Sequence, residues 1–317
     1  MRHGGTRTLI TGGTGFIGSA LMARLRAEGL HPLGTCRGTS LNQRCVSAPP
    51  LEADGDWSNL LRGIDTVVHT AARVHVMRDT SSNALDAFRA VNVKGSLNLA
   101  RQAASAGVRR LVFISSVKVN GEEIRHGRPF AAENDLAPED AYGISKAEAE
   151  AGLKAIAAET GMEFVIIRPP LVYGPGVRGN FATMMRAVAL GLPLPFGAVT
   201  DNRRSLVGLD NLVDLIVTCI DHPAAANQTF MVSDGEDLST ADLLRRLGAA
   251  MGKPARLLNI PPALLGAAAA MIGKRAVAQR LLGNLQVDIS HTCRTLGWKP
   301  PISLDEGLRR AVQGGIR

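Results

Sequence analysis

The chain's 317 residues, 45% hydrophobic content and formal net charge of +8 supply enough apolar material for a full core and exclude a disordered polypeptide. The basic balance asks for an anionic partner, but with two Trp and two Tyr in the whole sequence and Lys and Arg scattered along it, nucleic acid is not expected. A diphosphate-bearing substrate and cofactor fit the same charge. Cys36, Cys45, Cys219 and Cys293 make no CxxC pair and have no His at ligand spacing, so no metal is expected and the thiols should be free in a reducing compartment.

In chain order, a strand pattern begins almost at once, with no leader-like stretch before it, which sets the expectation of a cytoplasmic protein. Thr8 to Thr11 is a short β-branched run that stops at glycines, and Phe16 to Glu28 has apolar residues at helical spacing. Pro32 to Cys36, Thr66 to Thr70, Leu111 to Ser115 and Phe164 to Ile167 read as further strands, and Ala84 to Ala106 and Tyr142 to Thr160 as long helices. Strands alternating with helices predict the α/β class: a Rossmann-type doubly wound parallel sheet with right-handed crossovers. After Arg168 prolines and glycines cluster. This texture predicts a smaller, interleaved C-terminal substrate domain, with residues 1–170 binding dinucleotide, returns to the sheet around 206–232, and 171–205 with 233–317 binding substrate. The apolar run Ala263 to Gly273 is too short to cross a bilayer. The surrounding stretch, Pro262 to Ala278, is expected to pack within the smaller domain, because it is short and lacks a broad basic face.

Gly12-Gly13-Thr14-Gly15-Phe16-Ile17-Gly18 falls between the first strand and the first helix. At that junction the first glycine permits a tight turn, the second lets backbone approach a pyrophosphate, and the third lets helix and strand close up. Tyr142-Gly-Ile-Ser-Lys146 puts a phenol and an ammonium one helical turn apart. An ammonium near a phenol lowers its pKa, so such a tyrosine can move a proton near neutrality.

These segments resemble the extended short-chain dehydrogenase/reductase family, which includes NAD-dependent sugar-nucleotide epimerases, dehydratases and reductases. Further segments match in order: Asp56-Trp57, Asp65 to Ala72, Asn92 to Ser96, Phe113 to Gly121 and Arg168 to Pro175. The resemblance implies Ser116, Tyr142 and Lys146 as catalytic residues, with Ser116 holding the reacting sugar oxygen, Lys146 also holding the nicotinamide ribose, and Asn92 in support. It implies Gly12, Gly15, Phe16, Ile17, Gly18, Ala71 and Pro169 around NAD or NADP, with Asp56 and Trp57 beside the adenine. Arg204 is implied as a ligand of the substrate diphosphate and Asn180 as a further substrate contact. A homodimer through the two long helices is expected on the same ground. His69 reads as a satisfied core or cofactor-edge residue.

Three departures shape the finer reading. Ser116-Val117-Lys118 stands where the family's dehydratases carry a carboxyl pair, so water elimination is not expected, and Lys118 becomes a candidate substrate contact. Asn120 replaces the Tyr of the family's VYG triplet near the expected sugar pocket. The second strand ends at Cys36-Arg37, without the acid that would accept the ribose hydroxyls, so Arg37 is a candidate for a 2′-phosphate. The Ser115 to Glu122, Arg280 to Asp288 and Leu296 to Pro300 segments are similar to a subgroup called UDP-glucose 4-epimerase-like, which includes reductases of UDP-4-keto-6-deoxy-N-acetylhexosamines. The expectation is an oxidoreductase acting at C4 of a UDP-hexose, with 4-keto reduction leading and a UDP-glucose/UDP-N-acetylglucosamine 4-epimerase as the alternative. A non-catalytic NAD(P) sensor is the rival outside enzymology, and the complete Ser, Tyr and Lys set argues against it.

Overall fold

A computed structural model describes residues 6–38, 45–52, 54–74, 84–124 and 128–315. The first half alternates strand and helix: β1 (Thr8–Thr11), α1 (Phe16–Ala27), β2 (Leu33–Cys36), β3 (Cys45–Ser47), α2 (Ser58–Leu61), β4 (Thr66–His69), α3 (Ala84–Phe88), α4 (Ser96–Ser105), β5 (Arg110–Ile114), α5 (Ala141–Thr160) and β6 (Glu163–Arg168). It continues with β7 (Leu171–Tyr173), α6 (Gly179–Ala189), β8 (Arg204–Gly208), α7 (Leu209–Asp221), β9 (Gln228–Met231), β10 (Asp237–Leu238) and α8 (Thr240–Ala250). Four helices close the chain: α9 (Pro262–Met271), α10 (Arg275–Leu282), α11 (Ser290–Leu296) and α12 (Leu304–Gln313).

Seven strands form one parallel sheet in the order β3-β2-β1-β4-β5-β6-β9. The order reverses direction at β1, and in doubly wound sheets that reversal opens the ligand crevice at the carboxyl ends of the strands. Side chains alternate across the pleat. Ile10, Val68, Val112 and Val165 enter the layer with Leu21 and Leu25 of α1 and Leu212 and Ile216 of α7. Leu9, Val67, Leu111, Phe113 and Ile166 enter the opposite layer with Leu99 of α4 and Leu153 and Ile156 of α5. Both faces are therefore dry, which is why these strands are apolar throughout; each such side chain contributes about 1.5–3 kcal/mol by leaving water.

A small sheet, β10-β8-β7, lies in the second part of the chain, with β8 parallel to β7 and antiparallel to β10. Its core gathers Tyr173, Phe181, Leu206, Leu243, Leu247 and Leu308. The return to the large sheet runs through α7 and β9, while β8 pairs with β7 and β10 and bridges to Leu285 through Arg204. Asp234 knots the parts together, accepting hydrogen bonds from Tyr173 Oη (2.7 Å), Gly208 N (2.8 Å) and Asn211 Nδ2 (2.7 Å).

One feature departs from the sequence reading. The helix expected over Ala84 to Ala106 is present, but Arg89–Gly95 is wound as a π-helix between α3 and α4, a distortion frequent at functional sites. Within the stretch Pro262 to Ala278, α9 packs against α10, yet none of the residues of α9 is buried. Among the described residues no helix is long and apolar enough to cross a membrane.

Candidate active site

The glycine turn closes tightly at the end of β1. Gly12 has φ +70°, and a Cβ on Gly18 would lie 2.2 Å from the Gly12 carbonyl oxygen. Gly15 caps α1 with extended backbone and no side-chain cap, and the first turn of α1 holds no acid. The amides of that turn are thus left for an anion, the arrangement a dinucleotide diphosphate requires. Gly13 N donates to Thr35 O (2.7 Å), which ties the turn to β2. Ala71 sits against Gly12 from the end of β4, its N–H directed at Thr11 Oγ1 (3.3 Å). Pro169 is buried after β6, and its carbonyl accepts from Val117 N (3.0 Å).

Beyond β5 the chain turns sharply, and Ser116 takes extended backbone at the start of a 3₁₀ turn spanning Val117–Val119, with Lys118 N directed at its Oγ (3.3 Å). Helix α5 begins against this turn, because a Cβ on Gly143 would lie 2.7 Å from Lys118 O. One turn later Lys146, only 2% exposed, donates from Nζ to Ile114 O (2.9 Å) and stands 4.3 Å from the centre of the Phe113 ring. Ser116, Tyr142 and Lys146 are thereby gathered at the carboxyl end of β5. Phe88 meets Tyr142 edge-on, with ring centres 6.0 Å apart.

The electrostatics differ from the sequence expectation. Burial, opposed by the Glu150 carboxylate, brings Lys146 down to about 7. Tyr142 is shifted upward, by removal from water and then by the negative charge of Asp140. The Lys146 ammonium is committed to Ile114 O. His69 is satisfied on both nitrogens, Nδ1 by Thr11 Oγ1 (2.6 Å) and Nε2 by Ser96 Oγ (2.9 Å). Burial, then the Lys146 charge, holds it to about 3, so it is a neutral core group.

Asn92 lies in the π-helical segment, 1% exposed. Its Oδ1 accepts from Arg73 N (2.8 Å) and its Nδ2 donates to Ser145 Oγ (3.0 Å), joining the loop after β4 to α5. The Lys118 ammonium is held by Glu122 Oε1 (2.7 Å) and by the Asp140 carboxylate. Asn120 is buried, its Oδ1 accepting from Arg168 Nη1 (3.2 Å). Asp56 is exposed and accepts from Ser58 N (2.9 Å), as a turn cap does, and Trp57 is a core residue packed in the α4 and α5 layer. Arg37 is exposed at the end of β2, and Asn180 is exposed in the first turn of α6. Phe16 and Ile17 pack α1 on the core.

Arg204 opens β8 and donates to Gly283 O (3.2 Å). Burial and then the neighbouring Arg280 lower it to about 10, with Glu122 and Glu123 acting oppositely. Two guanidiniums brought together this way suit a diphosphate. Sequence reasoning missed Asp140, Glu122, Glu150 and Arg280. Asp140 was within reach: an Asp just before a helical pattern is a cap signal, and its Oδ1 accepts from Gly143 N (2.7 Å). Among the described residues no group of His, Cys, Asp and Glu side chains could hold a metal ion.

Residues 8–233 match the NAD dependent epimerase/dehydratase family. A UDP-glucose 4-epimerase of Vibrio cholerae is 49% identical over 98% of this chain and 95% of its own. Among solved structures, the Thermotoga maritima UDP-glucose 4-epimerase with UDP-glucose has a TM-score of 0.77 at 23% identity, covering 98% of both chains. RMD from Pseudomonas aeruginosa complexed with NADPH has a TM-score of 0.75 at 22% identity, covering 98% of this chain and 99% of that one.

Proposed function

Since the chain belongs to the NAD dependent epimerase/dehydratase family, we propose that this enzyme oxidises and re-reduces C4 of a UDP-hexose, working as a UDP-glucose-type 4-epimerase. The observation that carries the reading is the Lys146 Nζ to Ile114 O hydrogen bond, which draws the phenol-bearing turn of α5 onto the end of β5 beside Ser116. The sequence reading gave the lead to 4-keto reduction. The 49% identity to a UDP-glucose 4-epimerase over almost the whole chain moves it to epimerisation.

The glycine turn and the uncapped start of α1 would hold the diphosphate of NAD or NADP, which would supply the hydride acceptor and donor. Oxidation of an alcohol carbon must also remove the hydroxyl proton, which Tyr142 Oη would take up and later return. Ser116 Oγ holds the same sugar oxygen as its charge changes. Arg204, with Arg280 beside it, anchors the substrate diphosphate, while Asn92 holds α5 through Ser145. For the configuration at C4 to invert, the hydride would have to return to the opposite face of that carbon and the proton to its oxygen, which leaves the overall reaction redox-neutral.

A specific observation favours the second reading, 4-keto reduction: exposed Arg37 stands where an acid would hold NAD, which suits exchange of NADP(H). The test supplies UDP-glucose and UDP-N-acetylglucosamine without added cofactor and follows the C4 protons by NMR. Interconversion of the C4 epimers is the expected result. Stoichiometric loss of NADPH or NADH absorbance with a UDP-4-keto-6-deoxy-N-acetylhexosamine, and no epimerisation, would establish the reductase instead.

A further inference from the structure

Helix α9 is anomalous for an element of a packed domain. Its sequence, Pro262-Ala-Leu-Leu-Gly-Ala-Ala-Ala-Ala-Met271, has no charged or hydrogen-bonding side chain, yet none of its residues is buried. Leu264 is 61% exposed, Met271 82% and the following Ile272 67%. Contiguous exposed apolar surface of this kind marks an interaction face. The helix is held in place from both sides. It packs against α10, whose Gln279 Nε2 reaches Glu123 Oε2 (3.3 Å). The segment before it is pinned by Leu258 N to Leu194 O (2.8 Å) and Gly197 N to Leu258 O (2.9 Å).

Charge identifies the occupant. From Gly252 to Val287 the chain carries Lys253, Arg256, Lys274, Arg275 and Arg280 and no carboxylate. The first four are exposed, and Lys274 and Arg275 follow Met271 and Ile272 after the single residue Gly273, at the turn between the helices. Glu123 stands in the groove between the two helices, bonded to Gln279, but the hairpin itself contributes cations and no acid, and an apolar face rimmed in this way complements an anionic bilayer surface. At about 1.5 Å per residue α9 is roughly 15 Å long, enough to lie in the headgroup boundary and too short to cross it. We infer that the α9–α10 hairpin docks the enzyme on anionic membrane surfaces, with Leu264, Met271 and Ile272 entering the headgroup–acyl boundary and Lys274 and Arg275 pairing with lipid phosphates. Because α10 also carries Arg280, beside Arg204, docking brings the diphosphate-binding wall of the cleft toward the membrane.

The test is co-sedimentation of the full chain with vesicles of phosphatidylglycerol and phosphatidylcholine, beside vesicles of phosphatidylcholine alone. The protein should sediment with the anionic vesicles at low ionic strength and be released by salt. Leu264→Asp with Met271→Asp, and separately Lys274→Glu with Arg275→Glu, should each reduce binding on the order of tenfold. Melting temperature and dinucleotide affinity should not move, because these side chains are exposed and remote from the glycine turn. Protein that stays in the supernatant with anionic vesicles, or binding that survives both double variants, would overturn the inference. So would a dimer in light scattering that Met271→Asp dissociates while vesicle binding is absent, since the apolar face would then belong to a second copy of the chain.

Discussion

Tyr142→Phe deletes one oxygen and almost no volume, so it isolates the proton-transfer role. Turnover should fall by about 10²–10⁴-fold, while dinucleotide binding, read by fluorescence titration, stays close to the parent value; unchanged turnover would remove Tyr142 from the mechanism. Lys146 makes a prediction about stability. Its folded pKa of about 7 lies below the ordinary 10.5, so between those values the unfolded chain holds a proton that the folded chain does not. Stability from this group therefore rises with pH across that window, and the cost is fully present below it. Thermal melts of Lys146→Met should lack this slope. The YxxxK spacing singles out both residues only together with the neighbouring segments that resemble the family, since the same spacing is common on ordinary helices. The direction of the Tyr142 shift is set by burial and then by Asp140, a cap whose carboxylate is placed by the fold, and neither is visible in that spacing.

At the scale of elements, the central strands were readable because burial on both faces leaves an uninterrupted apolar run bounded by small residues. Strand β3 escaped notice for the opposite reason: Cys45-Val46-Ser47 is short and largely exposed, with no pattern of its own. The π-helical stretch was equally invisible, since its wider winding leaves no mark in the apolar spacing; within it Asn92 bonds to both Arg73 and Ser145. The glycine turn was read correctly as a tight junction, and it supplies a sharp test. Gly18→Ala would push a methyl into the Gly12 carbonyl, a backbone clash that costs about 1–3 kcal/mol in a packed site. Differential melting should register that loss together with weakened dinucleotide binding. Arg37→Ala, by contrast, should leave the melt unchanged and lower NADP affinity relative to NAD if the exposed guanidinium meets a 2′-phosphate.

For the whole molecule, a buried ion pair fastens the sheet to its helices. Glu150, inaccessible to solvent, accepts from Arg168 Nε (3.0 Å) and Nη2 (2.6 Å) and from Ser115 Oγ (2.5 Å), and Arg168 Nη1 reaches Ala132 O (3.1 Å). Glu150→Gln leaves the guanidinium without its counter-charge and should cost about 3–5 kcal/mol in denaturant melts. Nothing in the sequence paired these residues, because long-range partners carry no local pattern. The position of β9 has a different consequence. The seventh strand joins β6 only after β7, α6, β8 and α7 have been laid down, and α7 itself covers one face of the sheet. A ribosome that has released only the first 170 residues holds a sheet with an open edge at β6 and an uncovered apolar face. Neither half can then mature alone, and the chain should melt in one cooperative step, with calorimetric and van't Hoff enthalpies equal.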